Sequence, residues 1–143
     1  MAKNKKICLS KVPNSKVIAN NLPNSVNNSI AWNFRYVELN HPSLRCTYRD
    51  FLKYSNLIID RFEGKSIREI EREDSSNHYW NDNAKLSKDF IEIIQSKHIE
   101  QEQFFQLRMS SKFRIFGFVR GNIFNIVCFD FNHEVYKVHK KHT

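Results

Sequence analysis

The chain has 143 residues, which is enough for one domain with a buried core and requires no second domain. Hydrophobic residues make up 41% and aromatic residues 13%, with only three Gly and three Pro, so the composition indicates a globular fold and argues against a loop-rich one. The formal net charge is +8, no apolar run has the length of a signal peptide or a membrane span, and we expect a basic cytoplasmic protein.

The positive charge is concentrated at the two ends of the chain. Residues 1–29 carry five Lys and no acidic residue, and residues 108–143 carry seven Lys and Arg against Asp130 and Glu134. The segment between these ends is slightly acidic. This clustering favours a polyanion partner, of which nucleic acid is the commonest, over Lys that only keeps a small protein soluble.

The cysteines give no sign of a disulfide framework or a metal site. Cys8, Cys46 and Cys128 are odd in number and widely spaced, without a C-x-x-C motif or a His at ligand spacing. They predict reduced thiols in a cytosolic protein. We expect neither a bound metal nor another cofactor.

In chain order, a flexible basic arm comes first and a single α+β domain follows. Residues 1–29 are dominated by Asn, Ser and Lys and show neither helical nor strand periodicity, which predicts the arm. The domain is expected over residues 30–143. It begins with a strand, because Trp32, Phe34 and Tyr36 alternate with their neighbours.

Two helices are predicted next. From Ser43 onward, apolar residues recur at intervals of three and four on one helical face, and Gly64 supplies the C-terminal cap. Ser66 and Glu69 match a capping box that starts a second, short helix. The apolar positions of the first helix are Leu44, Tyr48, Phe51, Leu52, Ile58, Ile59 and Phe62.

Residues 74–83 are rich in Asn, Asp and Ser and predict a loop. His78 in that loop either touches a substrate or is an inert exposed side chain. A third amphipathic helix around Phe90 follows, and residues 104–109 predict a strand.

The last third of the domain predicts a β-hairpin. Two runs rich in Phe, Ile and Val, residues 113–119 and 123–131, flank Gly121 and Asn122, which suit the positive φ angles of a tight turn. The predicted order is therefore β, α, α, α, β, β, β. This order favours an α+β fold with the helices packed on one face of a mostly antiparallel sheet of about four strands.

The hairpin also carries candidate phosphate-binding groups. Arg114 and Arg120 are six residues apart, so their side chains leave the same face of the sheet, with Phe116 and Phe118 between them. Arginine interleaved with aromatic rings suits an RNA backbone and a stacked base, and the alternative is that both rings are core. Other candidate RNA-binding side chains are Arg108, Lys112, Lys137, His139, Lys140 and Lys141.

His133 and Tyr136 close the last predicted strand and are candidate proton-transfer groups. Metal-independent RNA cleavage needs a base for the 2′-hydroxyl, cations for the phosphate and an acid for the leaving 5′ oxygen. His133 and Tyr136 with Arg114 would form the catalytic set.

The element order and two segments resemble the RelE/ParE toxin superfamily of bacterial toxin-antitoxin systems. Residues 113–116, Phe-Arg-Ile-Phe, resemble the family's strand with Tyr-Arg-Val/Ile, and residues 133–137, His-Glu-Val-Tyr-Lys, resemble its closing end. The resemblance implies an endoribonuclease that cleaves mRNA, often on the ribosome, and is neutralised by an antitoxin. It places Arg114 at the scissile phosphate and Tyr136 in proton transfer. ParE-like members act on gyrase without cutting RNA, so the likeness leaves the reaction open.

Three hypotheses follow. The first is a RelE-like toxin that acts on mRNA, with the ribosome and an antitoxin as partners. The second is a non-catalytic module of a phage or other mobile element that binds nucleic acid or a protein through the same basic edge, with salt-sensitive affinity and no turnover. The third is a basic protein whose surface has no such role.

Overall fold

The computed structural model describes residues 27–80 and 82–136, which form an α+β fold. The predicted α+β class is confirmed. In chain order the elements are β1 (Ala31–Asn33), α1 (Tyr48–Phe62), α2 (Ile67–Glu73), β2 (His78–Trp80), a 3₁₀ turn (Asn83–Lys85), α3 (Lys88–Ser96), β3 (Phe104–Arg108), β4 (Arg114–Arg120) and β5 (Ile123–Asp130). Most of the predicted basic arm, residues 1–26, lies outside the described residues.

The sheet of the described chain has five strands where about four were expected. Its order is β1-β5-β4-β3-β2, with β1 parallel to β5 and every other neighbouring pair antiparallel. The antiparallel strands β3, β4 and β5 follow one another in the chain, so short connections suffice to join them. The first strand is shorter than predicted, because the chain leaves the sheet after Asn33.

The helix ends follow the predicted capping chemistry. The Ser66 hydroxyl accepts a hydrogen bond from the Glu69 amide, and the Glu69 carboxylate accepts one from the Ser66 amide, so both halves of the capping box are present. Gly64 follows α1 with a φ of +79°, the left-handed conformation common just after a helix. The prediction of both features from sequence is confirmed.

Helix α1 begins later than predicted because Thr47, not Ser43, caps it. The Thr47 hydroxyl accepts from the Asp50 amide. Leu44 therefore lies in a loop, and its side chain packs with α3. Tyr48 and Leu52 are 68% and 48% exposed, so the apolar face of α1 is narrower than its sequence indicates.

Strand β2 occupies part of the segment predicted to be a loop. His78, Tyr79 and Trp80 pair antiparallel with β3, and the indole Nε1 of Trp80 donates to the Gln106 side chain at 3.0 Å. Asn77, just before the strand, accepts from the Arg108 amide and donates to the Ile70 carbonyl. These tertiary contacts hold a three-residue strand that is too short to show a period of its own.

The predicted hairpin is present between β4 and β5. Gly121 has a φ of +63°, and Asn122 is not among the positive-φ residues, so only the first turn position needs the left-handed conformation. This agrees with a turn that places Gly at its first central position. A register shift leaves Val127 without a cross-strand partner and puts Val127 and Cys128 in the same apolar cluster.

The helices lie on both faces of the sheet, so the expectation of one covered face was wrong. One apolar cluster joins sheet residues such as Ile115 to α1 and α2, whereas the other joins Phe116 and its neighbours to α3. Consecutive residues of β4 and β5 are buried because each face has a cover. Near-continuous apolar strands are the pattern of a sheet buried on both sides.

Within the described ranges, the structure contains no helix with the length and apolar character that a bilayer span requires.

Gly117 allows the close approach of β4 and β5 next to the register shift. A Cβ at this position would lie 2.1 Å from the Asn125 carbonyl oxygen and 2.8 Å from a carbon of the Phe124 ring. We therefore expect Gly117→Ala to lower the free energy of unfolding by about 3 kcal/mol or to prevent folding. Urea denaturation followed by circular dichroism measures this change.

The matched control is Gly64→Ala. A Cβ there has no atom within 4 Å, so the cost is limited to the left-handed backbone, about 1 kcal/mol. A Gly117→Ala protein as stable as the Gly64→Ala protein would contradict the packing described for these strands.

Candidate functional site

The candidate site lies at the end of the sheet where β3 ends, β4 begins and β5 ends. The strand register places Arg108 opposite Arg114, and Arg114 opposite Asp130. Neighbouring strands are about 4.8 Å apart, so these three residues form one row across the sheet. Cationic groups from two strands are thereby brought together beside one buried carboxylate.

Asp130 determines the path of the chain after β5. Its side chain is 1% exposed, and its two oxygens accept hydrogen bonds from the amides of Glu134 at 2.9 Å and Val135 at 2.8 Å. The turn between them contains His133 with a φ of +58°. A buried carboxylate that accepts two amides is well satisfied, so the turn has a fixed geometry.

This turn carries the chain around the end of the sheet. The Phe131 ring stacks on Phe113 with centroids 4.6 Å apart, on the side covered by α1. Val135 is buried in the opposite cluster, and its carbonyl accepts from the Ser87 amide at 2.6 Å. Residues 131–136 therefore contact the apolar clusters on both faces of the sheet.

Arg114 is mostly enclosed at this end. Its side chain Nη1 donates to the carbonyls of Ser110 at 2.5 Å and Phe113 at 3.1 Å, and the residue is 6% exposed. Its Nε is buried without a hydrogen-bond partner. Desolvation lowers the pKa of Arg114, the positive charge of Arg108 lowers it further, and Asp74 and Asp130 oppose the shift.

Arg108 is more accessible than Arg114, and its guanidinium is paired with one carboxylate. Its side chain is 41% exposed, and Nη1 lies 2.9 Å from an oxygen of Asp74. The pKa of Asp74 is lowered, first by the hydrogen bond from the Ser76 amide and then by the one from Arg108. The guanidinium is thus oriented by an ionised carboxylate while part of it faces solvent.

Tyr136 lies in the core on the α3 side. It is 4% exposed, and its ring stacks on Trp80 with centroids 3.4 Å apart and planes 20° apart. The predicted proton-transfer tyrosine is therefore a packing residue of the C-terminal turn in this structure. Tyr136 lies on the same face of the sheet as Arg114, but its ring is buried in the core.

The other predicted site residues are distributed unevenly. Lys112 is exposed in the loop between β3 and β4, and His133 is half-buried in the turn after β5, so both lie at the Arg114 end. Arg120 is at the other end of β4, about 20 Å along the strand from Arg114, and lies 5.0 Å above the Phe118 ring. The structure does not bring it to the site. Four predicted side chains, Lys137, His139, Lys140 and Lys141, lie outside the described residues.

Phe116 and Phe118 are both 0% exposed and belong to the α3-side cluster. Of the two alternatives for these rings, core packing is the one observed. An RNA base could stack on these rings only if the residues that cover this face of the sheet moved away.

One cavity and one cluster of side chains elsewhere in the described chain are poorly suited to phosphate and to metal, respectively. A cavity of about 370 Å³ lies at the opposite end of the sheet, but Glu100 and Glu102 line it and would repel an anion. His41, Asp89 and Glu92 have ligand atoms within 4.8 Å of one another. The Ser43 amide donates to His41 Nδ1, however, so Nε2 carries the proton that Glu92 accepts and has no lone pair for a metal.

The two described cysteines are unsuited to thiolate chemistry. Burial and, secondarily, Asp50 raise the pKa of Cys46 to about 11, and burial with Asp130 raises that of Cys128. Both thiols are free and buried. A protonated, enclosed thiol is a poor nucleophile.

Comparison with known proteins found no matching family model, no significantly similar curated protein and no significantly similar solved structure.

We expect Asp130→Asn to destabilise the protein by about 2 kcal/mol, because one accepting oxygen is replaced by an amide group that faces a backbone N–H. Urea denaturation measures this loss. The control is Asp60→Asn in α1, where the side chain is exposed and the expected change is within about 0.5 kcal/mol. Equal stabilities for the two variants would show that Asp130 does not hold the turn.

Proposed function

We propose that this protein binds RNA through the end of its sheet formed by Arg108, Lys112, Arg114 and His133. The observation that carries the proposal is the direct opposition of Arg108 and Arg114 on neighbouring strands. Like charges in opposed positions destabilise a sheet, and a phosphate bound beside the exposed Arg108 would reduce this repulsion. Arg108 offers an exposed, oriented guanidinium for such a contact.

We further propose that the chain is a RelE-like endoribonuclease that cleaves mRNA without a metal. The resemblance in residues 113–116 and 133–137 supports this, as does a first strand followed by helices and three consecutive antiparallel strands. His133 would supply proton transfer next to the basic row. A cytoplasmic location, action on the ribosome and control by an antitoxin belong to the same proposal.

The second candidate is a module that binds RNA or a protein without cleaving. It is favoured by the enclosure of the Arg114 guanidinium and by the stacking of Tyr136 on Trp80, since both side chains have structural partners. Under this alternative the site holds a backbone phosphate and performs no reaction.

A cleavage assay separates the two candidates. Purified protein is incubated with mRNA alone in EDTA and, separately, with mRNA and intact ribosomes in a Mg²⁺ buffer, and the products are separated on a denaturing gel. Defined fragments are the result expected of the nuclease. Intact RNA under both conditions, together with salt-sensitive binding, would reject cleavage and leave the binding module.

The position of the RNA site is tested by a pair of basic substitutions. We expect Arg108→Ala and Lys112→Ala each to weaken binding of a single-stranded RNA oligonucleotide and to reduce the salt dependence by about one phosphate contact. Fluorescence anisotropy over a range of salt concentrations measures both effects.

Arg120→Ala is the control, because Arg120 lies at the far end of β4 and contributes the same charge to the protein. We expect it to reduce affinity much less than either substitution at the site. Equal losses for all three variants would show that net charge, and not this end of the sheet, determines binding.

A further inference from the structure

His78 has a defined tautomer and an available ring nitrogen. Its Nδ1 lies 3.0 Å from the carbonyl oxygen of Tyr79, which can only accept a hydrogen bond. In the neutral imidazole the proton is therefore on Nδ1, and Nε2 has a free lone pair. The residue is only half-buried, so its side chain is not closed off from a ligand.

The strand register places His78 on the same sheet face as the basic row. His78 is directly opposite Gln106, and Arg108 is two residues further along β3. Paired residues point to the same side, as do residues two apart in one strand, so His78 and Arg108 are diagonal neighbours, about 7–8 Å apart at the backbone. Arg114, opposite Arg108, shares this face.

A contact with Trp80 also restricts the imidazole of His78. Its ring meets Trp80 edge to face with centroids 4.2 Å apart, and Trp80 is fixed by Gln106 and by the stacked ring of Tyr136. Gln106 in turn donates to the Ser76 carbonyl at 2.8 Å. The buried partners of Trp80 therefore restrict the ring of His78, as a positioned proton-transfer group requires.

Resting on the proposed cleavage function, we propose that His78 is the proton acceptor of the site for an RNA substrate. Nε2 takes the proton from a 2′-hydroxyl, so that an O–H bond breaks and an N–H bond forms. The 2′ oxygen then bonds to phosphorus while the bond from phosphorus to the 5′ oxygen breaks. The leaving 5′ oxygen takes a proton from an acid, the role proposed above for His133, and exchange with water restores both imidazoles.

The catalytic role is tested with His78→Ala and His78→Gln. We expect each variant to lower the rate of RNA cleavage at least about 100-fold while the affinity for RNA changes less than about threefold. The control is His98→Asn, at an exposed position with a φ of +52° that Asn tolerates, and it should cleave at the wild-type rate. Circular dichroism confirms that each variant is folded.

The outcomes separate this role from the proposed function. A wild-type protein that cleaves RNA alongside an equally active His78→Ala variant would overturn the role of His78 alone. A wild-type protein that binds RNA without cleaving it would overturn the cleavage proposal together with this role. As an independent measurement, ¹⁵N NMR of the His78 ring should show the proton on Nδ1, and a proton on Nε2 would also overturn the assignment.

Discussion

The hydrogen bonds from the Glu134 and Val135 amides to Asp130 are the interaction on which the C-terminal half of the fold depends. They turn the chain at the end of β5 and carry it from the α1 side of the sheet to the α3 side. The stack of Tyr136 on Trp80 and the contact of Val135 with Ser87 both require this turn. Without it, β2 would lose one of the packing contacts that hold so short a strand.

The same carboxylate shapes the electrostatics of the site. Asp130 lies opposite Arg114, whose guanidinium donates to two backbone carbonyls, and Arg108 lies on the other side of Arg114 and is paired with Asp74. Desolvating a positive charge is costly, so the negative groups nearby stabilise Arg114 in its charged form. The exposed cations at this end of the sheet are then Arg108 and, in the adjoining loop, Lys112, and these are the groups that an added phosphate can reach without displacing core residues.

Local chemistry made parts of the fold predictable from the sequence. The capping box at Ser66, the glycine after α1 and the hairpin at Gly121 each depend on residues close together in the chain. Strand β2 could not be predicted in this way, because three residues show no period and their pairing comes from Gln106 and Asn77. The cover on the second face was indicated by the apolar run of residues 126–129 in β5, where no polar side chain alternates to face solvent.

The candidate site was less predictable than the fold, because a strand's alternation shows which face a side chain occupies but not its burial or its partners. Arg114 and Arg120 share a face and yet lie at opposite ends of β4. Tyr136 was identified by its residue type and by the resemblance of residues 133–137, whereas its stacking on Trp80 depends on a turn made by Asp130. A carboxylate four and five residues before its amide partners has no periodic signature, so its role emerges only from the three-dimensional structure.

The most direct test of the account is NMR mapping of the RNA contact on ¹⁵N-labelled protein. A short single-stranded RNA is added at low salt, and the amide shifts are followed along the chain. We expect the largest changes in residues 108–114 and 131–135, where the strand ends and the Asp130 turn meet. Changes confined to the Arg120 end of the sheet, or no saturable change at all, would contradict the account.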